Sequence, residues 1–350
     1  IAGGILRNTI DNGFDIITDS IKTKNKRYLL LIICIVAFIL SAVLDNLTTA
    51  IVMATIVKKI IPEKQDRYFF IGLIIIACNA GGCFSPIGDV TSTMLWVGNK
   101  LSATYMISHL IIPSLVCLMV PLSIGLLKVK GNVENIEATS DFNPISKTEK
   151  TIIFSLGLFT LLFVPVFKTI THLPPYMGIL FGLGIMWIVT ELIHKKKGTE
   201  EKDRFSVSNA ISRTDVPSVL FFLGILLAVA CLQEVHVLSD MATYLNNTIG
   251  DLKLISASIG LLSAIVDNVP LLAATLGMYN MPLDDTFWLM ICYCTGTGGS
   301  CLIIGSAAGV AVMGLENISF SWYLKNISLL ALIGYISGFI VFLIQNSLIN

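Results

Sequence analysis

Apolar stretches separated by short polar segments run along the whole chain. Four of them are long and almost uninterrupted, namely Tyr105–Leu127, Met177–Ile193, Val216–Leu232 and Trp322–Leu348. About 20 consecutive apolar residues are enough for a helix to cross the hydrocarbon core of a bilayer. The pattern therefore predicts an all-α polytopic membrane protein.

Lysine and arginine residues cluster in some of the polar segments and are scarce in the others. The basic segments are 22–27, 58–67, 128–150 and 194–213. Cytoplasmic loops are enriched in lysine and arginine, so we assign these segments to the cytoplasmic side. We interpret residues 1–28 as an amphipathic segment at the cytoplasmic interface, and 128–150 and 194–213 as cytoplasmic loops.

The apolar stretch 29–57 joins two basic segments on the same side, so it cannot cross the membrane once. Folded at its middle, each half has about 14 residues and a helical length of about 21 Å. That is shorter than the hydrocarbon core of about 30 Å. We therefore predict a re-entrant hairpin over 29–57 with "LDNLTT" at its tip.

A second hairpin is predicted over 254–279, because the predicted loops on both sides of it, 234–253 and 279–285, are poor in lysine and arginine and are therefore both assigned to the outside. Its tip carries "VDNVPLL", and Pro270 marks the break because proline lacks a backbone donor. The two hairpins then enter the membrane from opposite sides, which is the arrangement of an inverted-topology repeat.

The repeat is visible in the letters of the sequence. "SAVLDN" at 41–46 returns as "SAIVDN" at 263–268, and "NAGGCFSPIGDVTSTMLW" at 79–96 is followed, after the second hairpin, by "GTGGSCLIIGSAAGVAVMG" at 296–314. Aligning the two glycine pairs places Asp89 opposite Ser306. Glycine pairs weaken a helix, so we predict that the helices containing 79–96 and 296–314 are each broken inside the membrane.

These elements give the following organisation. Repeat 1 covers 29–127, with hairpin 29–57, broken helix 68–99 and span 105–127. Two connecting spans occupy 151–193. Repeat 2 covers 216–348, with span 216–232, hairpin 254–279, broken helix 286–314 and span 322–348.

The composition excludes several classes of function. The chain is 55% hydrophobic and 13% charged with a net charge of zero, whereas soluble domains carry about 25% charged residues. A neutral chain offers no electrostatic basis for binding nucleic acid. The eight cysteines show no zinc or disulfide spacing, so we interpret them as packing residues and predict no cofactor.

The predicted tips and helix breaks are rich in side-chain oxygen and contain no lysine or arginine. Oxygen ligands suit small hard cations, and the missing positive charge argues against an anionic substrate. The predicted cation- and proton-binding residues are Ser41, Asp45, Asn46, Thr48, Thr49, Ser85, Asp89, Thr91, Ser263, Asp267, Asn268, Ser300 and Ser306.

Three of these residues, Asp45, Asp89 and Asp267, would place carboxylates at membrane depth, which costs about 2.5–3.5 kcal/mol each. A carboxylate that holds either a proton or a cation would suffice for antiport. Each aspartate could instead be a helix cap or a turn residue, and the hydroxyls could bond to the preceding helical turn. Asp45 and Asp267 could also form the catalytic pair of an intramembrane protease, although an inverted repeat has no obvious use in such an enzyme.

The sequence resembles the NhaD-type Na⁺/H⁺ antiporters of the ion transporter superfamily from about Asn12 onward. The resemblance is carried by "SAVLDNLTTAIVM" (41–53), by 79–96, by "RTDVPSVLFFLGILLAVACL" (213–232) and by "SAIVDNVPLLAA" (263–274). The matching motif positions are Ser41, Asp45, Asn46, Thr48, Asp89, Ser263, Asp267, Asn268 and Ser300.

The resemblance implies a secondary transporter and not an enzyme. It would exchange cytoplasmic Na⁺ or Li⁺ for external H⁺ in the bacterial inner membrane as a homodimer, with Na⁺ at Asp45, Asn46, Asp267 and Asn268. The family has further apolar helices before "GFDIITDSI", so we expect that this chain lacks N-terminal helices. The superfamily also contains dicarboxylate and citrate carriers, so a Na⁺-coupled carboxylate symporter is the alternative.

Overall fold

The computed structural model describes residues 25–133, 147–171, 173, 175–193 and 216–349. Within these ranges the chain is helical apart from short connections, and the strand-like pairing there is a single bridge between Asn25 and Asn132. The predicted interfacial segment up to residue 24, most of the loop 128–150 and the loop 194–213 lie outside the described residues.

Five helices form the first part of the described chain. They are α1 (Lys26–Leu44), α2 (Asn46–Ile60), α3 (Lys64–Cys83), α4 (Val90–Val97) and α5 (Ala103–Lys128). Two further helices follow, α6 (Lys147–Thr171) and α7 (Pro175–Ile193). Interruptions separate α1 from α2 at Asp45 and α3 from α4 over 84–89, which are the two places where the sequence pattern puts a tip and a break.

The remaining helices repeat much of this order. They are α8 (Val216–Glu234), α9 (Val237–Thr248), α10 (Leu252–Leu262), α11 (Asn268–Met278), α12 (Thr286–Gly298), α13 (Ala307–Glu316), α14 (Phe320–Asn326) and α15 (Ser328–Ile349). A single 3₁₀ turn, Gly299–Cys301, follows α12. Interruptions again separate α10 from α11 before Asn268 and α12 from α13 before Ala307.

Six helices in the described ranges are long and apolar enough to cross a membrane. Their apolar windows are Lys26–Leu44, Lys64–Cys83, Ala103–Lys128, Thr151–Lys168, Tyr176–Ile193 and Ser328–Leu348. The chain is therefore a helical, multi-pass membrane protein.

The chain divides into two compact units. The smaller one contains α6 and α7, where Phe159 stacks on Phe163, Phe163 makes a tilted contact with Phe167, and Gly182 of α7 lies against Thr160. The larger one contains residues 25–133 and 220–350, and therefore all the interruptions described above.

Helices α3 and α12 form the centre of the larger unit. Every residue from Phe70 to Cys83 is buried, and so is every residue from Phe287 to Gly298. Helix α15 lies close to α5, because Gly334 and Gly338 lie against the backbone carbonyls of α5. This packing places the ends of α3 and α12, where the helix breaks occur, inside the protein.

Three expectations about the helices need correction. The first arm of hairpin 29–57 is longer than 14 residues: α1 has 19 residues, a length of about 28 Å, because its cap is Asn25 and the basic Lys26 and Arg27 are helical. The segment 234–253 is not a loop, because it contains the helix α9. The predicted span 322–348 is interrupted at Ile327 between α14 and α15.

Candidate functional site

The interruption between α1 and α2 is built around Asp45. Its backbone has φ 91° and ψ 156°, a conformation that residues other than glycine rarely adopt. Its Oδ1 accepts a hydrogen bond from the Thr48 backbone N–H at 2.7 Å, and its Oδ2 accepts one from the Thr48 hydroxyl at 2.9 Å. Asp45 therefore caps α2, and Thr48 satisfies both carboxylate oxygens.

A hydrogen-bonded chain of amides and hydroxyls starts at the next residue. Asn46 Nδ2 donates to Asn79 Oδ1 at 3.2 Å, and Asn79 Nδ2 donates to Ser300 Oγ at 2.9 Å and to Ser306 Oγ at 3.0 Å. All four side chains are buried, and Asn79 is completely inaccessible. Asn79 thus connects the first hairpin to both sides of the break between α12 and α13.

A second cluster surrounds Asp89, which is 2% exposed and caps α4 together with Ser92. Asp89 Oδ2 accepts hydrogen bonds from the Thr91 hydroxyl at 2.9 Å and from Asn268 Nδ2 at 3.0 Å. Because Asn268 begins α11, this contact joins the break between α3 and α4 to the tip between α10 and α11.

Asp267 lies directly before α11, next to Asn268, whose amide donates to Asp89 Oδ2. Its Oδ1 is buried and has no hydrogen-bond partner among the described residues. In the same part of the chain, the ion pairs of lysine and arginine involve Glu63, Asp66 and Glu316, and none involves Asp45, Asp89 or Asp267. A buried carboxylate such as Asp89 is costly without a cationic partner unless it holds a proton or a metal cation.

The remaining predicted hydroxyls differ in whether they have hydrogen-bond partners. Ser41 donates to the Cys78 carbonyl at 2.6 Å and Ser263 to the Thr295 carbonyl at 2.9 Å, so each links a hairpin to the buried helix beside it. Ser85 accepts a long bond from the Ile87 N–H at 3.4 Å. Thr49 is 1% exposed, and its Oγ1 finds no partner within the described ranges, so it remains free to act as a ligand.

Glycine allows the two helix breaks to fold back tightly. A Cβ atom at Gly82 would lie 2.6 Å from the Gly88 carbonyl oxygen, and one at Gly299 would lie 2.5 Å from the Gly305 carbonyl oxygen. Both distances are too short for a real side chain. The same glycine contact therefore closes the break after α3 and the break after α12.

Two features of this region were not predicted from the sequence. Asn79 lies within the quoted segment 79–96, but nothing in the sequence places it beside residues more than two hundred positions away. The second feature is the buried Glu316 at the end of α13, whose Oε2 accepts from Arg67 Nε at 2.8 Å. Lys58 Nζ lies 2.9 Å from Glu316 Oε1, an ion pair without hydrogen-bond geometry. Glu316 could have been found in the sequence, because a carboxylate in an apolar part of the chain is unusual.

The chemistry of the region follows from its donors. Carboxylate, amide and hydroxyl oxygens are the ligands of small hard cations. In the described ranges, no group of three histidine, cysteine, aspartate or glutamate side chains is close enough together to hold a metal ion. The region can therefore offer mixed oxygen ligands, the Asp89 and Asp267 carboxylates among them, but not a carboxylate-rich or sulfur-rich metal centre.

Comparison with known proteins matches the chain to membrane transporters. A family model described as citrate transporter matches residues 11–284. Sodium/proton antiporter 1 of Arabidopsis thaliana is 45% identical over 96% of this chain and 59% of its own length. Sodium/proton antiporter 2 of the same plant is 42% identical over 95% of this chain and 80% of its own length. The Na⁺/H⁺ antiporter NhaD of Alkalimonas amylolytica is 32% identical, covering 89% and 68%.

The buried helices, the paired interruptions and the oxygen-lined region define a membrane transporter, and the matched proteins are transporters rather than enzymes. Within that class, the chain belongs to the NhaD-type Na⁺/H⁺ antiporters of the ion transporter superfamily. The chain spans 59% of the length of the first plant relative, so the activity of a complete protein is a matter for proposal.

Proposed function

We propose that the protein is a secondary antiporter that exchanges cytoplasmic Na⁺ or Li⁺ for external H⁺ and so serves sodium and pH homeostasis. The observation that carries the proposal is the buried Asp89, whose side-chain donors are the Thr91 hydroxyl and the amide of Asn268, the residue after Asp267. Such a buried carboxylate is stable when it holds a proton or a cation, and exchange follows if the two compete for it. The names of the plant and bacterial relatives support Na⁺ and H⁺ as the exchanged ions.

The proposed ligands are the predicted site residues. Asp45 and Asp267 would bind the cation and carry the proton at the two tips, with Asp89 as the third carboxylate. Asn46, Asn268, Thr48 and Ser300 would complete the oxygen shell. The supporting residues are Ser41, Thr49, Ser85, Thr91, Ser263 and Ser306.

We further propose that residues 29–127 and 216–348 form an inverted repeat whose hairpins, with tips at Asp45 and Asp267, are re-entrant. Matched contacts support this: Ser41 and Ser263 each donate to a buried helix, and the same glycine contact closes both helix breaks. In transporters of this kind, the binding site lies near the bilayer midplane at the interface of the repeats.

Four further expectations are proposals, and two of them, the homodimer and the bacterial inner membrane, rest on the resemblance alone. The four are the homodimer, the lipid bilayer as the working environment, the absence of any resident cofactor, and the bacterial inner membrane. The last of these is the least specific, because relatives from both plants and bacteria match the chain.

Liposomes that contain the full-length protein and an acid interior would test the proposal, with a pH-sensitive dye as the readout. We expect added NaCl or LiCl to collapse the pH gradient, and KCl or choline chloride to leave it intact. The Asp89→Asn variant should show no collapse, because it cannot offer the negative charge that the cation needs.

A Na⁺-coupled carboxylate symporter is the second candidate, because the matching family model is that of a citrate transporter. It is less favoured, since a carboxylate substrate would face the Asp89 and Asp267 charges with no lysine or arginine paired to them in the described residues. No collapse by Na⁺, together with Na⁺-dependent uptake of a labelled dicarboxylate or citrate, would replace the antiport proposal with this one.

A further inference from the structure

The two helix breaks match in their glycines but differ in the polar residues beside them. With the glycine pairs 81–82 and 298–299 aligned, Asn79 stands opposite Gly296, Cys83 opposite Ser300, and Asp89 opposite Ser306. One break therefore has a carboxylate and the other a hydroxyl, and the large amide belongs to only one of the two helices.

The amide of Asn79 makes the contacts that a small cation would make. Its Nδ2 carries partial positive charge and points its two hydrogens at Ser300 Oγ and Ser306 Oγ, at 2.9 Å and 3.0 Å. Its Oδ1 accepts from Asn46, the residue at the first hairpin tip. All three neighbours are buried, and each is hydrogen-bonded to Asn79, so this cluster of four side chains is held together without an ion.

The second cluster, around Asp89 and Asn268, lacks a side chain at the position that corresponds to Asn79. Gly296 has no side chain, and a Cβ atom there would lie 3.6 Å from Asp89 Oδ2 and 2.9 Å from the Cβ of Cys83. Asp89 brings negative charge to this position. Asp267, which is next to the Asn268 that donates to Asp89, has an Oδ1 without a partner among the described residues. This cluster has charge that requires compensation, and it has no amide in the place that Asn79 takes.

We propose that each protomer binds one transported cation, at Asp89 and Asp267 with Asn268, and that the Asn79 amide permanently takes the place of a second cation. The inference rests on the proposed function and narrows it, because it assigns the cation to one half of the region. Asp45, whose oxygens are both bonded to Thr48, is then left to carry a proton rather than the metal ion.

Equilibrium binding of radioactive Na⁺ to the full-length protein in nanodiscs at alkaline pH tests this count. We expect one Na⁺ per protomer in the native protein and none in Asp89→Asn. The Asn79→Asp variant should bind two, because it puts a carboxylate among Asn46, Ser300 and Ser306 with almost unchanged shape. The exposed Asn326→Asp is the matched control and should still bind one.

Two Na⁺ per native protomer would overturn the inference, as would a folded Asn79→Asp protein that still binds one. If Asn79→Asp does not fold, the counts for the native protein and for Asp89→Asn still decide the question. The failure of the proposed function looks different: neither Na⁺ nor Li⁺ would bind, and neither would collapse the gradient in liposomes. Exchange together with two bound ions would contradict the inference alone.

Discussion

At the scale of the single residue, Asp45 is both the cap of α2 and the residue with the unusual backbone conformation at the tip. Its side chain caps α2, while its backbone holds φ at 91°, which is unfavourable for a residue with a Cβ. The sequence could predict an interruption here, because an Asp–Asn pair stands inside an apolar run. It could not predict the backbone conformation, which depends on how the surrounding helices fix the tip.

Replacing Asp45 with asparagine separates these roles. Asparagine tolerates positive φ and keeps an oxygen for the Thr48 N–H, so we expect the folded protein to be retained. It cannot take up and release a proton, so Na⁺-driven collapse of the pH gradient should be abolished. Size-exclusion chromatography and the liposome assay measure the two outcomes, and full exchange by a folded Asp45→Asn protein would remove Asp45 from the mechanism.

Asn79 shows why part of the site could not be predicted. Asp89 and Asp267 are conspicuous because carboxylates are costly in a membrane, whereas one amide in a buried helix is compatible with a purely structural role. The partners of Asn79 come from a helix break more than two hundred residues away, and sequence spacing does not bring Ser300 and Ser306 to it.

At the scale of the helix, the sequence predicts which stretches are apolar better than where each helix ends. Lys26 and Arg27 are helical although they lie in the polar segment before residue 29, and the sequence does not show that Lys26 pairs with Glu63 and Asp66. The break at Ile327 is marked by the polar residues Lys325, Asn326 and Ser328, but the long apolar run that follows led to the prediction of one continuous span. Helix α9 has an apolar side, with Leu238 and Ala242 buried, within a segment that is polar on average.

Close packing at the helix break predicts a sharp contrast between two glycines. A Cβ at Gly88 would lie 2.8 Å from the Ser41 carbonyl oxygen and 2.8 Å from the Gly82 Cα, whereas nothing lies within 4 Å of one at Gly314. We expect Gly88→Ala to reduce the yield of folded protein and to abolish exchange. Gly314→Ala should leave both unchanged, because alanine is favoured inside a helix. Equal behaviour of the two variants would contradict the proposed role of the glycine contact.

The ion pairs of Glu316 join three helices, since Lys58 belongs to α2, Arg67 to α3 and Glu316 to α13. The Glu316 and Arg67 side chains are 1% and 15% exposed. Removing one partner of a buried pair typically costs about 3–5 kcal/mol, because the other charge is left uncompensated. We therefore expect Glu316→Gln to lower the thermal unfolding temperature clearly.

Glu63 provides the control for this experiment. It pairs with Lys26 at 3.3 Å, but its side chain is 63% exposed. Exposed pairs contribute about 0–1 kcal/mol, so Glu63→Gln should shift the unfolding temperature little. Similar shifts in Glu316→Gln and Glu63→Gln would show that the buried cluster does not stabilise the contact between these helices.

At the scale of the whole molecule, the inverted arrangement predicts which side of the membrane each connection faces. Among the eight cysteines, Cys231 is exposed and the others are buried. A Cys231→Ser protein should therefore react little with a thiol reagent before a new cysteine is introduced. On it we expect Glu63→Cys to react with an impermeant thiol reagent from the cytoplasmic side and Leu283→Cys to react from the other side. Labelling of both cysteines from one side would contradict the opposite entry of the hairpins.

Competition between Na⁺ and H⁺ for the same carboxylates is a property of the whole transporter. If Na⁺ and H⁺ occupy the same carboxylates, deprotonation at higher pH must favour Na⁺, so the Na⁺ concentration for half-maximal exchange should fall as pH rises. For one displaced proton, the change is at most about tenfold per pH unit. The liposome assay, repeated from neutral to alkaline pH, measures this directly. A half-maximal concentration independent of pH would show that the proton and the cation use separate groups, and the carboxylates Asp89 and Asp267 would then bind the cation without carrying the proton.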